Sequence, residues 1–179
     1  MMLTKKELRT YIKEEKQKLT SSEKAEAGNN VLDILKSTPE VISTENIVAY
    51  WSMPDELPTQ KIIEFLSANH KIYLPVITGD QIIFHRFEGN DHLEKEKLYG
   101  ILEPKSQETL PENAPSVVLV PGIAFSPDGQ RLGRGGGYYD KILAKLKNTY
   151  KIGIAYKCQI VDEIPSEPHD MKMDKVIFG

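Results

Sequence analysis

The chain has 179 residues, a hydrophobic fraction of 40%, and 23 Lys+Arg against 26 Asp+Glu, for a net charge of -3. A chain this long buries roughly two-thirds of the surface it exposes when unfolded, so no disulfide or metal staple is needed. The charge balance excludes a protein whose main task is coating nucleic acid, because phosphate neutralisation needs a surplus of basic residues. With Cys158 as the only cysteine no intrachain disulfide forms, which points to a reducing cytoplasm.

The first residues, MMLTKKELR, are charged at once and carry no signal-peptide-like apolar segment. Thr4 followed by Glu7 is a capping-box pattern, and Leu8, Tyr11, Ile12 and Leu19 recur at helical spacing behind it. A second helix is predicted from Ser21 or Ser22 through Val31, Leu32, Ile34 and Leu35, ending before Pro39, with Gly28 as a weak point. The period changes at Asn46. NIVAYW reads as a strand, SMPDELP as a turn, and the segment through Ile62, Ile63, Phe65 and Leu66 as a helix.

KIYLPVI is the next strand, and Thr78-Gly79-Asp80 marks a hairpin into QIIFHRF. The polar, proline-dotted stretch from Glu88 to Pro115 reads mostly as exposed connections. SVVLVP is continuously apolar, as a strand covered on both faces must be. The longest apolar stretch, Val117 to Phe125, is far too short to span a membrane. A helix over YYDKILAKLK, a buried strand KIGIAY and a last strand at Lys175–Phe178 complete the chain. Strand–helix alternation around apolar strands predicts a single three-layer α/β/α domain over residues 1–179, and the hairpin makes its mostly parallel sheet mixed.

The chemistry concentrates in VPGIAFSPDGQRLGRGGGYYDKIL, Val120 to Leu143, between a buried strand and a helix. Gly133, Gly135, Gly136 and Gly137 crowd beside Arg131 and Arg134. Glycines let backbone N–H groups converge on an anion, and the following helix adds its positive end. Arginine forks suit phosphate oxygens. Four glycines in five positions would cost more than about 2 kcal/mol of backbone entropy in an idle loop. The loop lacks the Gly-Lys-Ser/Thr ending of a Walker loop, and Tyr138 stands where the dinucleotide fingerprint needs its third glycine.

PGIAFSPDGQRLGRGGGYYDKIL resembles the signature of the 5-formyltetrahydrofolate cyclo-ligase family. KKELR, YWSMPDELPT and EPHDMKMDKVIF resemble its other segments in order, so the likeness covers essentially the whole chain. It implies an enzyme that uses ATP and Mg2+ to close 5-formyltetrahydrofolate into 5,10-methenyltetrahydrofolate, releasing ADP and phosphate. It further implies that Lys5 and Arg9 contact ATP and that Arg131 through Tyr139 form the nucleotide loop. Of that loop, Arg134 to Tyr138 also touch the folate, and Arg131 and Arg134 act in catalysis. Asp140 and Asp170 are implied as magnesium carboxylates, and Trp51 and Glu56 as folate-pocket residues. Some relatives have lysine where this chain has Gly136, so backbone N–H groups, Arg131 or Arg134 must supply that contact. Position 51 is apolar but not Trp in some relatives.

Each residue also has a plainer reading. Asp140 suits the positive end of a helix, Asp170 a loop cap, Glu56 a solvated turn, and Lys5 with Arg9 an exposed helix face. Of Tyr138 and Tyr139, one is expected to stack on a ligand and the other to pack. His70, His85, His92 and His169 show no metal spacing; His85 is expected to face outward and His169 to neighbour Asp170. Cys158 reads as a buried small residue. The partners expected are small molecules, with no nucleic acid, no membrane and a monomeric state. Competing readings are a sugar-phosphate isomerase or CoA-transferase-like enzyme, and a non-catalytic nucleotide- or folate-binding module.

Overall fold

In a computed structural model that describes residues 3–79, 81–96, 100–114, 116–168 and 170–179, the helices are α1 (Lys5–Gln17), α2 (Ser21–Lys36), α3 (Pro39–Ser43), α4 (Gln60–Ser67) and α5 (Tyr138–Lys145). Six strands form the main sheet: β1 (Asn46–Val48), β2 (Lys71–Thr78), β3 (Gln81–Arg86), β6 (Ser116–Val120), β9 (Thr149–Ala155) and β10 (Lys175–Phe178). Two small antiparallel ribbons, β4 (Leu93–Lys95) with β5 (Leu102–Pro104) and β7 (Ala124–Phe125) with β8 (Arg131–Leu132), lie outside it.

The main sheet runs β10-β9-β6-β1-β2-β3, parallel throughout except for the β2–β3 hairpin, which closes at Thr78 opposite Gln81. The predicted mixed sheet is therefore correct. Side chains alternate across β6: Val117 and Leu119 pack with α2 and α4, while Val118 and Val120 pack with Ile142 and Leu143 of α5. Helices on both faces explain why every residue of β6 is buried, and they make the three layers.

Helix α1 belongs to neither layer. Leu8 and Ile12 pack on Ala124 and Leu132 of the β7–β8 ribbon and on Ile164. Burying two such side chains is worth roughly 1.5–3 kcal/mol each, enough to fix the helix against the ribbon. The Thr4–Glu7 capping box forms as predicted, and a second one at Thr20–Glu23 opens α2. Tyr11, expected on the apolar face, is instead exposed. Its position falls off the stripe that Leu8 and Ile12 set, so the helix buries Lys16 there and leaves Tyr11 in water.

Other expectations need correction. Gly28 does not break α2; it is buried against Pro58, where an added Cβ would stand 3.4 Å from the Pro58 carbonyl. The strand in NIVAYW is only three residues long. The stretch from Glu88 to Pro115 is not all exposed connection. It holds β4–β5, and Glu103 of β5 is buried with its carboxylate accepting from the Ile77 N–H at 2.9 Å. Burial pushes that carboxyl up from its ordinary range. His85 does not point freely outward either; its Nδ1 is buried without a partner among the described residues. The Asp80 end of the predicted turn and His169 lie outside the described residues. No described helix is long and apolar enough to cross a membrane.

Candidate active site

The chain leaves β1 for β2 on one side and β6 for β9 on the other, so strand order reverses between β1 and β6. Such a switch point opens a crevice beyond the carboxyl ends of its two strands. Two loops fill it here: Trp51 to Pro58 after β1, and the glycine-rich loop after the β7–β8 ribbon.

The first loop is held by its own hydrogen bonds. Thr59 Oγ1 donates to the Tyr50 carbonyl at 2.6 Å and accepts from the Ser52 N–H at 3.0 Å; Ser52 Oγ accepts from the Thr59 N–H at 3.0 Å. Glu56 is fixed from two sides. Its Oε2 accepts from the Met53 N–H at 2.9 Å, and its carbonyl accepts from the Tyr156 hydroxyl at 2.8 Å. Burial pushes that hydroxyl's pKa up to about 12, so it remains a donor throughout the working range. Trp51 is half-buried and tilts against Phe87 at 6.0 Å between ring centroids.

In the second loop Gly135 and Gly137 have φ of +104° and +64°, a region L side chains rarely adopt. Gly137 caps α5, so the helix's free N–H groups open onto the loop. Nothing lies within 4 Å of the Cβ position at Gly136 or Gly137, so there is room for a ligand at the backbone.

The two arginines differ. Arg131 is only 4% exposed at its side chain; Nη2 donates to Asp140 at 2.9 Å and Nη1 to the Pro121 carbonyl at 3.3 Å. Arg134 is half-exposed, and its Nη2 donates to Asp55 at 2.9 and 3.0 Å and to Glu56 at 3.1 Å. Arg134 thus joins the glycine loop to the first loop.

Helix α1 supplies the third wall. Arg9 Nε donates to the Gly133 carbonyl at 2.9 Å, and Lys5 pairs with Asp170 at 3.0 Å and Glu167 at 3.2 Å. Lys16, 8% exposed at its side chain, donates to the Asp55 carbonyl at 2.7 Å and its carboxylate at 3.3 Å. Burial raises the Asp55 carboxyl, but the Arg134 hydrogen bond and the Lys16 charge outweigh it and hold Asp55 below the ordinary aspartate range. Between α1 and these loops lies a cleft of about 360 Å³ lined by Arg9, Lys13, Lys16, Lys24, Asp55 and Arg134. In a chain of net charge -3 this is a concentrated basic patch, suited to a polyanion.

The structure therefore links Arg9 to the glycine loop at Gly133 and Arg134 to Glu56, with Arg131 buried under the loop and Lys5 one turn before Arg9 on α1, held by Asp170 and Glu167. Asp140, in the first turn of α5, has one carboxylate oxygen on Arg131, and Asp170 has one on Lys5 and the Glu167 N–H. Tyr138 is exposed while Tyr139 is partly buried against both of the larger core clusters, the two rings edge-to-face at 5.7 Å. Sequence reasoning missed Asp55, Lys16 and Tyr156. A signal existed for Lys16: Lys5, Arg9, Lys13 and Lys16 recur at helical spacing along one side of α1. Asp55 looked like an ordinary turn residue.

A sequence model of the 5-formyltetrahydrofolate cyclo-ligase family matches residues 1–179. The chain belongs to this family. It is 32% identical to the 5-formyltetrahydrofolate cyclo-ligase of Haemophilus influenzae over 98% of this chain and 97% of that protein. The enzyme of the same name from Escherichia coli K12 is 31% identical, with 93% and 95% covered. Among solved structures, Aquifex aeolicus 5,10-methenyltetrahydrofolate synthetase superposes with a TM-score of 0.86 at 29% identity, covering 97% of this chain and 89% of that one. The mixed, mostly parallel sheet flanked by helices is thus the family's fold, and the chain is an enzyme of the family.

Proposed function

We propose that the chain, working as one catalytic unit, closes 5-formyltetrahydrofolate to 5,10-methenyltetrahydrofolate at the expense of ATP. The observation that carries this is Arg134. It sits among the loop glycines yet bonds Glu56, so one guanidinium joins the loop expected to hold phosphate to the residue expected to hold folate.

The reaction has two parts. An N-formyl carbon is deactivated by nitrogen resonance, and its oxygen is a poor leaving group. The formyl oxygen attacks the γ-phosphorus and ADP departs; N10 then attacks the activated carbon and loses its proton. The C–O bond breaks and phosphate leaves with its electrons. Phosphoryl transfer asks the protein for position and charge neutralisation. Loop N–H groups, the α5 amino terminus and Arg134 supply these for the phosphates, with Lys5 and Arg9 along α1. Arg131 sits beneath the loop and fixes its base, so at Gly136 the contact that a lysine makes in some relatives falls to Arg134 and backbone N–H groups. Glu56 and Trp51 hold the pterin, which keeps N10 near the carbon and makes the second step intramolecular.

Magnesium fits the donor set: Asp140 is part-exposed, offers a hard oxygen with no partner among the described residues, and adjoins the phosphate loop, with Asp170 as the second expected ligand. When bound, it would neutralise charge on the phosphates. No histidine, cysteine or serine is required as a nucleophile. The decisive experiment is the ultraviolet spectrum of the product formed from ATP, magnesium and 5-formyltetrahydrofolate. The conjugated methenyl product should appear with one ADP per turnover. Product without ATP, or none with it, refutes the assignment.

A further inference from the structure

Arg134 commits a single nitrogen to its carboxylates. Nη2 makes all three contacts, two to Asp55 and one to Glu56, while Nε and Nη1 have no partner among the described residues. A planar fork can serve two ligands when one edge is held and the other is left open.

The two carboxylates are held differently. Glu56, 13% exposed, is tied down by Met53 and Tyr156. Asp55, 52% exposed, stands between two cations, with Arg134 on one side and Lys16 on the other. Among the described residues Lys16 has no anionic partner but Asp55. A nearly buried ammonium without a counter-charge is costly, so Lys16 holds Asp55 in place. Through one carboxylate, α1, the first loop and the glycine loop meet, although Lys16 and Asp55 are 39 residues apart and Asp55 and Arg134 are 79 apart.

We propose that Asp55 is the positioning residue for Arg134, gripping Nη2 so that Nε and Nη1 face the transferred phosphoryl group when the folate engages Glu56. This rests on the activity proposed above, in which Glu56 is shared with the substrate. Without Asp55 a half-exposed arginine loses its second holder when the pterin arrives. Holding it beforehand removes the cost of ordering it during the reaction.

The test uses the full chain and compares Asp55→Asn with wild type. The variant should lose about tenfold in kcat, with the KM values for ATP and 5-formyltetrahydrofolate changed no more than about threefold. Asp55→Glu should recover part of the loss. In an Arg134→Ala background Asp55→Asn should cost little more, because both changes damage one device. If the loss of the Lys16 counter-charge unfolds the variant, the Lys16→Met/Asp55→Asn double variant removes both charges and should show the same kcat deficit. Independently of turnover, 15N relaxation of the Arg134 Nε should report greater mobility in Asp55→Asn. A kcat within twofold of wild type, an undiminished loss in the Arg134→Ala background, or unchanged Arg134 mobility overturns the role of Asp55. The activity assignment fails separately, if the wild type forms no methenyl product; the relaxation measurement still decides the Asp55 role in that case.

Discussion

Two residues separate Arg131 from Arg134, yet the two ends of this loop obey different physics. At the base, Arg131 is out of water, with Nη1 and Nη2 on Pro121 and Asp140 and its buried Nε without a partner among the described residues. At the tip, Arg134 is half in water, pairs with carboxylates from another loop, and keeps two nitrogens open. A buried pair contributes rigidity, because breaking it strands a charge; an exposed pair contributes little stability but can exchange partners. On the proposed reading the difference makes the base mainly a support for the loop and the tip the part that meets the ligand.

The sharpest way to break that comparison is to remove each arginine and ask what fails. Arg131→Met leaves Asp140 without its partner, and half of the loop's base with it. Stability should fall by about 3 kcal/mol, at the lower end for a broken buried pair because Asp140 is partly exposed. For a chain of this size that is roughly 6–12 °C in Tm, read by calorimetry. A Tm within 2 °C of wild type, on the order of 1 kcal/mol or less, would show that the base does not depend on the pair. The same reasoning changes what Asp140→Asn can report: Arg131 loses a counter-charge as well as any metal losing a ligand, so magnesium dependence must be read beside Tm.

Arg134 should give the opposite pattern. Arg134→Ala should move stability by less than about 1 kcal/mol, since an exposed pair is worth no more. It should lower kcat by about a hundred- to a thousandfold, the loss typical of removing a donor from developing charge. Arg134→Lys should recover only part, keeping charge but losing the two-edged fork. Equal effects on kcat and on the KM for ATP would make Arg134 a uniform binder.

Between the arginines, Gly135 tests whether the loop's shape or its charges hold the nucleotide. At φ of +104° a β-branched residue is strained by about 1–3 kcal/mol, and its Cβ would stand 3.5 Å from the Arg9 guanidinium. Gly135→Val should therefore weaken ATP binding, measured by calorimetry, more than it lowers Tm. An unchanged affinity in the folded variant removes the loop from the phosphate site.

How far these features could be read from sequence follows the same division. Period-two and continuous apolarity exposed β2, β6, β9 and β10, and the Thr4–Glu7 box exposed the start of α1. The glycine run was legible as a candidate anion loop, and the fold sets it between β8 and the amino terminus of α5. What escaped were contacts made across the chain. The β7–β8 ribbon has two-residue strands, too short for alternation to register, so the docking of α1 on it was invisible. His85 looked outward because its strand alternates, yet its Nδ1 is buried. Asp55 sits in a proline turn that reads as solvated, and only the fold brings Lys16 and Arg134 to it.

The smallest expected effect concerns the tip alone and depends on pH. Asp55 is held below its ordinary value of 3.8 in the folded chain, chiefly by Arg134 and Lys16 acting against burial. A carboxyl whose folded pKa is lowered contributes stability that is fully present above its unfolded value. That contribution disappears as pH falls through the folded value, where protonation breaks the pair. Wild type should therefore lose stability below about pH 4 that Asp55→Asn, which has no proton to take up, does not lose. Because Asp55 is half-exposed and screened, the difference should stay below about 1 kcal/mol and shrink further in high salt. Urea midpoints at pH 7 and pH 3.5, for both proteins at two salt concentrations, measure it. Parallel curves for the two proteins would mean that Asp55 grips Arg134 no more tightly than water does, and the tip would then lack the anchor that distinguishes it from an ordinary surface arginine.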